Sequence, residues 1–130
     1  MRVHRRARLV ELATYEIVDA DSAVMPEGTD YVDILMVYNE IERFWLSVSA
    51  MDMPLKLGYD SWKKFISGYD SHMADVVIRF GNTIASLIYR FDLTFGELTA
   101  IFSSLRANAA KHIIHSERYP DDVDKFGGVK

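Results

Sequence analysis

Cysteine is absent, so the chain can form no disulfide and offers no thiolate to a metal. Only three prolines and seven glycines punctuate its 130 residues, leaving few places where a helix must break. No run of about 18 or more apolar residues escapes interruption by Asp, Glu, Lys or Arg, and such a run is what a membrane-spanning helix needs. Met1-Arg2-Val3-His4-Arg5-Arg6 leads into no apolar core of a secretory signal. The expectation is a soluble, unexported, cytoplasmic protein in a reducing compartment. Catalytic punctuation is missing too: no G-x-S-x-G, no phosphate-cradling G-x-x-x-x-G-K, no H-E-x-x-H and no internal repeat. The net charge of -4 argues against a general nucleic-acid binder.

Charge of one sign is missing locally as well. Asp19, Asp21, Glu27, Asp30, Asp33, Glu40 and Glu42 follow one another without a single Lys or Arg, whereas Arg2, Arg5, Arg6 and Arg8 crowd the N-terminus. The plain reading is a solvated acidic face. The functional reading is a surface for a partner with basic character, with Asp19, Asp21, Glu27, Asp30, Asp33 and Glu40 as the partner-binding residues.

What is present is apolar periodicity. Half the residues are apolar, enough for one compact domain and too many for a disordered chain. Met73, Val76, Val77, Phe80, Ile84, Leu87, Ile88 and Phe91 recur at three- and four-residue steps, which predicts a helix over Asp70–Phe91 with one buried stripe. Leu98, Ile101, Phe102, Leu105, Ala109 and Ile113 predict a second, over Thr94–Ser116. Between them Thr94-Phe95-Gly96-Glu97 spells a capping box, flanked by Leu93 and Leu98 as a hydrophobic staple. So short a corner predicts an antiparallel helical hairpin.

Around this hairpin the remaining stretches are shorter. Val3, Ala7, Val10, Thr14 and Ile17 fit a helix over Val3–Val18, with a short strand over Ala13–Val18 as the competing assignment. Asp19–Gly28 has the composition of a connection and is the candidate hinge. Tyr31, Ile34, Leu35, Tyr38, Ile41, Trp45 and Val48 predict a helix from Asp30 to about Met51, capped by Thr29 or Asp30 and stopped by Met53-Pro54. Trp62, Phe65, Ile66 and Tyr69 predict a short helix capped by Asp60 or Ser61 and ended by Gly68. The fold class is therefore all-α: a small bundle of four to five helices in one domain over residues 1–116, followed by an extended tail over 117–130.

Two patterns could carry chemistry. Arg106 and His112, six residues apart with Asn108 between, resemble the R-x4-6-H signature of HEPN-type ribonucleases, which are helical domains. That resemblance implies a phosphate-binding Arg106 and an acid–base His112, an imidazole being suited to proton transfer near neutrality. In that family the pair sits near the start of a helix and is completed across a dimer, whereas here it falls deep inside a predicted helix. The plain reading has Lys111, His112, His115 and Arg118 complementing a helix C-terminus. His112 and His115 with Glu117 are too few for a zinc site, His4 and His72 stand alone, and Glu40 and Glu42 point to different sides of their helix, so no metal and no cofactor are expected.

Leu93-Thr94-Phe95-Gly96-Glu97-Leu98, then Lys111, Ile114 and Glu117-Arg118-Tyr119-Pro120-Asp121-Asp122-Val123-Asp124-Lys125, resemble the ends of small proteins of tailed bacteriophages. The resemblance spans Leu93 to Gly128. It implies a non-enzymatic accessory protein that binds and modulates or inhibits a host macromolecule in the host cytoplasm, such as a defence or nucleic-acid-processing protein. The alternatives are a HEPN-type ribonuclease and a self-assembling helical module that buries a face in a homodimer. Membrane association and direct nucleic-acid binding are not expected.

Overall fold

The computed structural model describes residues 2–24 and 29–118, with side-chain surroundings over 8–19 and 29–114. Five helices follow in order: α1 Arg2–Val24, α2 Tyr31–Ser49, α3 Tyr59–Ser67, α4 Ala74–Phe91 and α5 Phe95–Arg118, with a 3-10 turn at Leu55–Gly58. No strand occurs among the described residues, and no helix among them is long and apolar enough to cross a membrane. The N-terminal stretch is therefore helix and not strand.

Helix α1 also runs further than expected. The proposed connection begins at Asp19, yet helix continues to Val24. The reason is visible in the spacing, because Ala20 and Val24 continue the three- and four-residue steps from Ala13 and Ile17, and two acids do not break a helix without proline or glycine. At the opposite end, α5 continues through Arg118, two residues past the expected boundary, and the rest of the expected tail lies outside the described residues.

Local chemistry explains the other ends. Asp30 caps α2, accepting from the Asp33 N–H at 3.0 Å while the Asp30 N–H donates to Asp33 Oδ2 at 3.4 Å. Helix α2 ends at Ser49, two residues early, and Asp52 turns the chain with φ 59° before Pro54. Gly68 ends α3 as expected, but the helix begins at Tyr59, directly after the 3-10 turn, so Asp60 and Ser61 lie inside it rather than at its cap. Helix α4 starts at Ala74 rather than Asp70, because Ser71 is engaged in a turn: its hydroxyl accepts from the Met73 N–H at 3.2 Å and its carbonyl from the Ala74 N–H at 3.0 Å. The corner between α4 and α5 is built as its sequence reads. The Thr94 N–H donates to Glu97 Oε1 at 2.9 Å, the Glu97 N–H donates to Thr94 Oγ1 at 3.1 Å, and Leu93 and Leu98 are buried beside the box. Asp92 closes α4 in the left-handed region, which Asp tolerates better than most residues.

Helices α4 and α5 are joined by this corner but share few contacts with each other; both pack instead on α1 and α2, each of which lies against both. Tyr38 of α2 marks the junction, its ring 6.2 Å from Phe80 of α4 and 6.5 Å from Phe102 of α5. The inward face of α2 comprises Ile34, Val37, Tyr38, Ile41, Trp45 and Val48, all buried. Helix α3 closes one end of the core with Trp62, which is stacked 6.3 Å from Trp45 and donates its Nε1–H to Asn82 Oδ1 at 2.8 Å. Trp62 lies against the bare backbone of Gly81. A Cβ there would sit 2.0 Å from the indole, so only glycine fits at this point of α4.

Candidate functional site

Arg106 and His112 both lie on α5, and the fold gives each its own neighbour. Arg106 Nη1 donates to Glu42 Oε1 of α2 in an ion pair whose side chains are 34% and 18% exposed. His112 stacks on Tyr31, with ring centroids 4.3 Å apart and planes 7° from parallel. Six residues of helix turn the second side chain about 120° from the first and move it about 9 Å along the axis. Their two partners, Tyr31 and Glu42, are about 16 Å apart along α2 by the same geometry. One phosphate group cannot meet both side chains within this chain while they hold these partners. Both instead tie α5 to α2.

The acidic run is also redistributed by the fold. Asp30 and Asp33 form the α2 capping box, where their charge faces the positive end of the helix dipole. Glu40 lies 3.8 Å from Arg43, one turn on, and Glu42 points the other way to Arg106, 64 residues away in sequence. Cations missing from the run itself therefore come from the next turn and from α5. Asp19 is exposed on α1; the side chains of Asp21 and Glu27 lie outside the described surroundings. Among the described residues no group of three His, Cys, Asp or Glu side chains could hold a metal ion.

Two surface features escaped the sequence reading. One is a cleft of about 370 Å³ lined by Tyr59, Ser86, Tyr89 and Arg90. Its tyrosine rings are 6.0 Å apart, Lys63 Nζ lies 5.1 Å from the Tyr59 ring centre, and the Arg90 guanidinium donates to Glu16 at 3.0 Å while resting over Phe91. Tyr89 and Arg90 do fall off the apolar stripe of α4, a visible signal, but the tyrosines are 30 positions apart and only folding joins them. The second feature is the outward side of α2, where Val32, Met36 and Leu46 are about half exposed or more. The signal for it was a second series of three- and four-residue steps on the same helix. Compared with protein-family models, with curated proteins and with solved structures, the chain finds no match.

Proposed function

We propose that this protein works by binding rather than by catalysis, as a phage-type accessory protein that engages a host macromolecule with a basic surface, of the defence or nucleic-acid-processing kind. The observation that supports this reading is the engagement of Arg106 by Glu42 and of His112 by Tyr31, which ties the two side chains of the ribonuclease pattern to separate packing contacts. The carboxylates of Asp19, Asp30 and Glu40 are available to a partner. Glu40 is held only by Arg43, whose side chain is 76% exposed, and such a pair contributes about 0–1 kcal/mol. A basic partner can displace it at little cost.

Asp19→Asn with Glu40→Gln tests the reading and leaves the α2 capping box intact. A partner recovered from host lysate and purified should associate more slowly with this variant, and with a flatter salt dependence, because charges at the rim of an interface act mainly on the rate of encounter. An unchanged rate across salt concentrations would remove the acidic face from the interface. Cleavage of RNA by the purified protein, lost in His112→Ala at unchanged fold, would replace this reading with the ribonuclease one.

A further inference from the structure

On the outward side of α2 and its C-cap, Val32, Met36, Asn39, Arg43, Leu46 and Ala50 follow one another at steps of 4, 3, 4, 3 and 4 residues. At 100° per residue they fall within an arc of about 80° and run about 27 Å along the helix. All six are exposed: Val32 51%, Met36 61% and Leu46 49%, with Asn39, Arg43 and Ala50 also open to solvent. Alternating steps of three and four make the seam of a two-stranded coiled coil. Scattered apolar side chains on a surface need no explanation. An aligned seam directly opposite the buried face of the same helix does.

The order of residues along the seam selects its occupant. Apolar side chains stand at both ends, Val32 and Met36 at one and Leu46 and Ala50 at the other, with Asn39 and Arg43 between them. Turned end over end, the seam matches itself: Val32 meets Ala50, Met36 meets Leu46, and Asn39 meets Arg43. We infer that α2 pairs with α2 of a second copy, antiparallel about a two-fold axis between Asn39 and Arg43.

Charge sets the direction. Parallel pairing would place Arg43 against Arg43, which repels, whereas antiparallel pairing brings each Arg43 beside Asn39 and Glu40 of the other copy. Arg43 already touches its own Glu40 at 3.8 Å with 76% of its side chain exposed. Exchange for the Glu40 of the second copy conserves the charge contact and removes it from water. A two-fold contact of this kind closes on itself and stops at the dimer. The seam is one helix wide, so the dimer is of the weak, reversible class. The inference goes beyond the partner reading above and is tested on the purified protein alone.

Sedimentation of the full chain should show a mass that doubles between low micromolar and near-millimolar concentration. Leu46→Glu, at an exposed position, should keep the circular-dichroism spectrum and melting temperature and remain monomeric throughout. Because the chain has no cysteine, orientation can be read by single substitutions. An oxidised mixture of Val32→Cys and Ala50→Cys proteins should yield mainly the mixed disulfide, and Val32→Cys alone should give little cross-linked product. A wild-type chain that stays monomeric, a Leu46→Glu variant that still dimerises, or a dominant 32–32 cross-link would each overturn the inference.

Discussion

The two faces of α2 share a periodicity and meet different fates. Ile34, Tyr38, Ile41, Trp45 and Val48 face inward and are buried, while Val32, Met36, Asn39, Arg43 and Leu46 face outward and are exposed. Both series step by three and four residues, so spacing alone says only that two stripes exist. What separates them is content. The inward stripe is uninterrupted and includes the two large rings, Tyr38 and Trp45, whereas the outward stripe breaks its apolar run with an amide and a guanidinium in the middle. Burying Arg43 and Asn39 without partners would cost several kcal/mol, whereas burying Trp45 and Tyr38 is favourable on balance, even though the Trp45 Nε1–H meets no acceptor among the described residues. That difference orients the helix, and it leaves an apolar–polar–apolar seam on the outside.

The largest effect expected from breaking this contrast lies inside. Trp45→Ala should destabilise the protein by about 3–5 kcal/mol, because a fully buried indole stacked on Trp62 leaves a cavity that its neighbours cannot close. Thermal or denaturant melting checks it. A shift no larger than that of a surface variant would mean that the aromatic end of the core is not closely packed. At the edge between the faces, Glu42→Ala should cost roughly 1–2 kcal/mol, since it leaves the half-buried Arg106 without its carboxylate. A cost near zero would place that pair with loose surface ion pairs such as Glu40–Arg43. The smallest effect belongs outside: Met36→Ser should stay within about 0.5 kcal/mol of wild type at low protein concentration. A loss comparable to that of Trp45→Ala would show that the outward stripe is part of the monomer's own core.

Much of the architecture was legible because it rests on local rules. The Thr94–Glu97 box needs only residues three apart and a free helix start, and its two hydrogen bonds and its Leu93–Leu98 staple appear where the sequence places them. The buried positions of α4 and α5 followed from a single clean stripe each. Helix ends were read less well. Asp19–Val24 looked like a connection because acids and small residues are common in loops, but composition did not outweigh the continuing spacing of Ala20 and Val24. Asp33 has a local use as well, as the returning half of the α2 capping box.

Candidate sites fared differently because chemistry depends on distance in space. Arg106 and His112 are close in sequence, yet helical rotation and the pull of Glu42 and Tyr31 send them to different neighbours. Tyr59 and Tyr89 are remote in sequence and share a cleft. Gly81 reads as a weak point in a helix, costing about 0.5–1 kcal/mol relative to alanine in isolation, until Trp62 is seen lying against it.

By itself, then, the sequence determined the helical class, the inward stripes and the Asp30 and Thr94 caps, all of which follow from interactions within about four residues of each other. Only the tertiary structure decided which carboxylates are neutralised and by whom, that Gly81 must lack a side chain, and which face of α2 stays open. Those outcomes turn on contacts between helices distant along the chain, where the energy comes from shape and desolvation at the meeting point and leaves no fixed spacing to read.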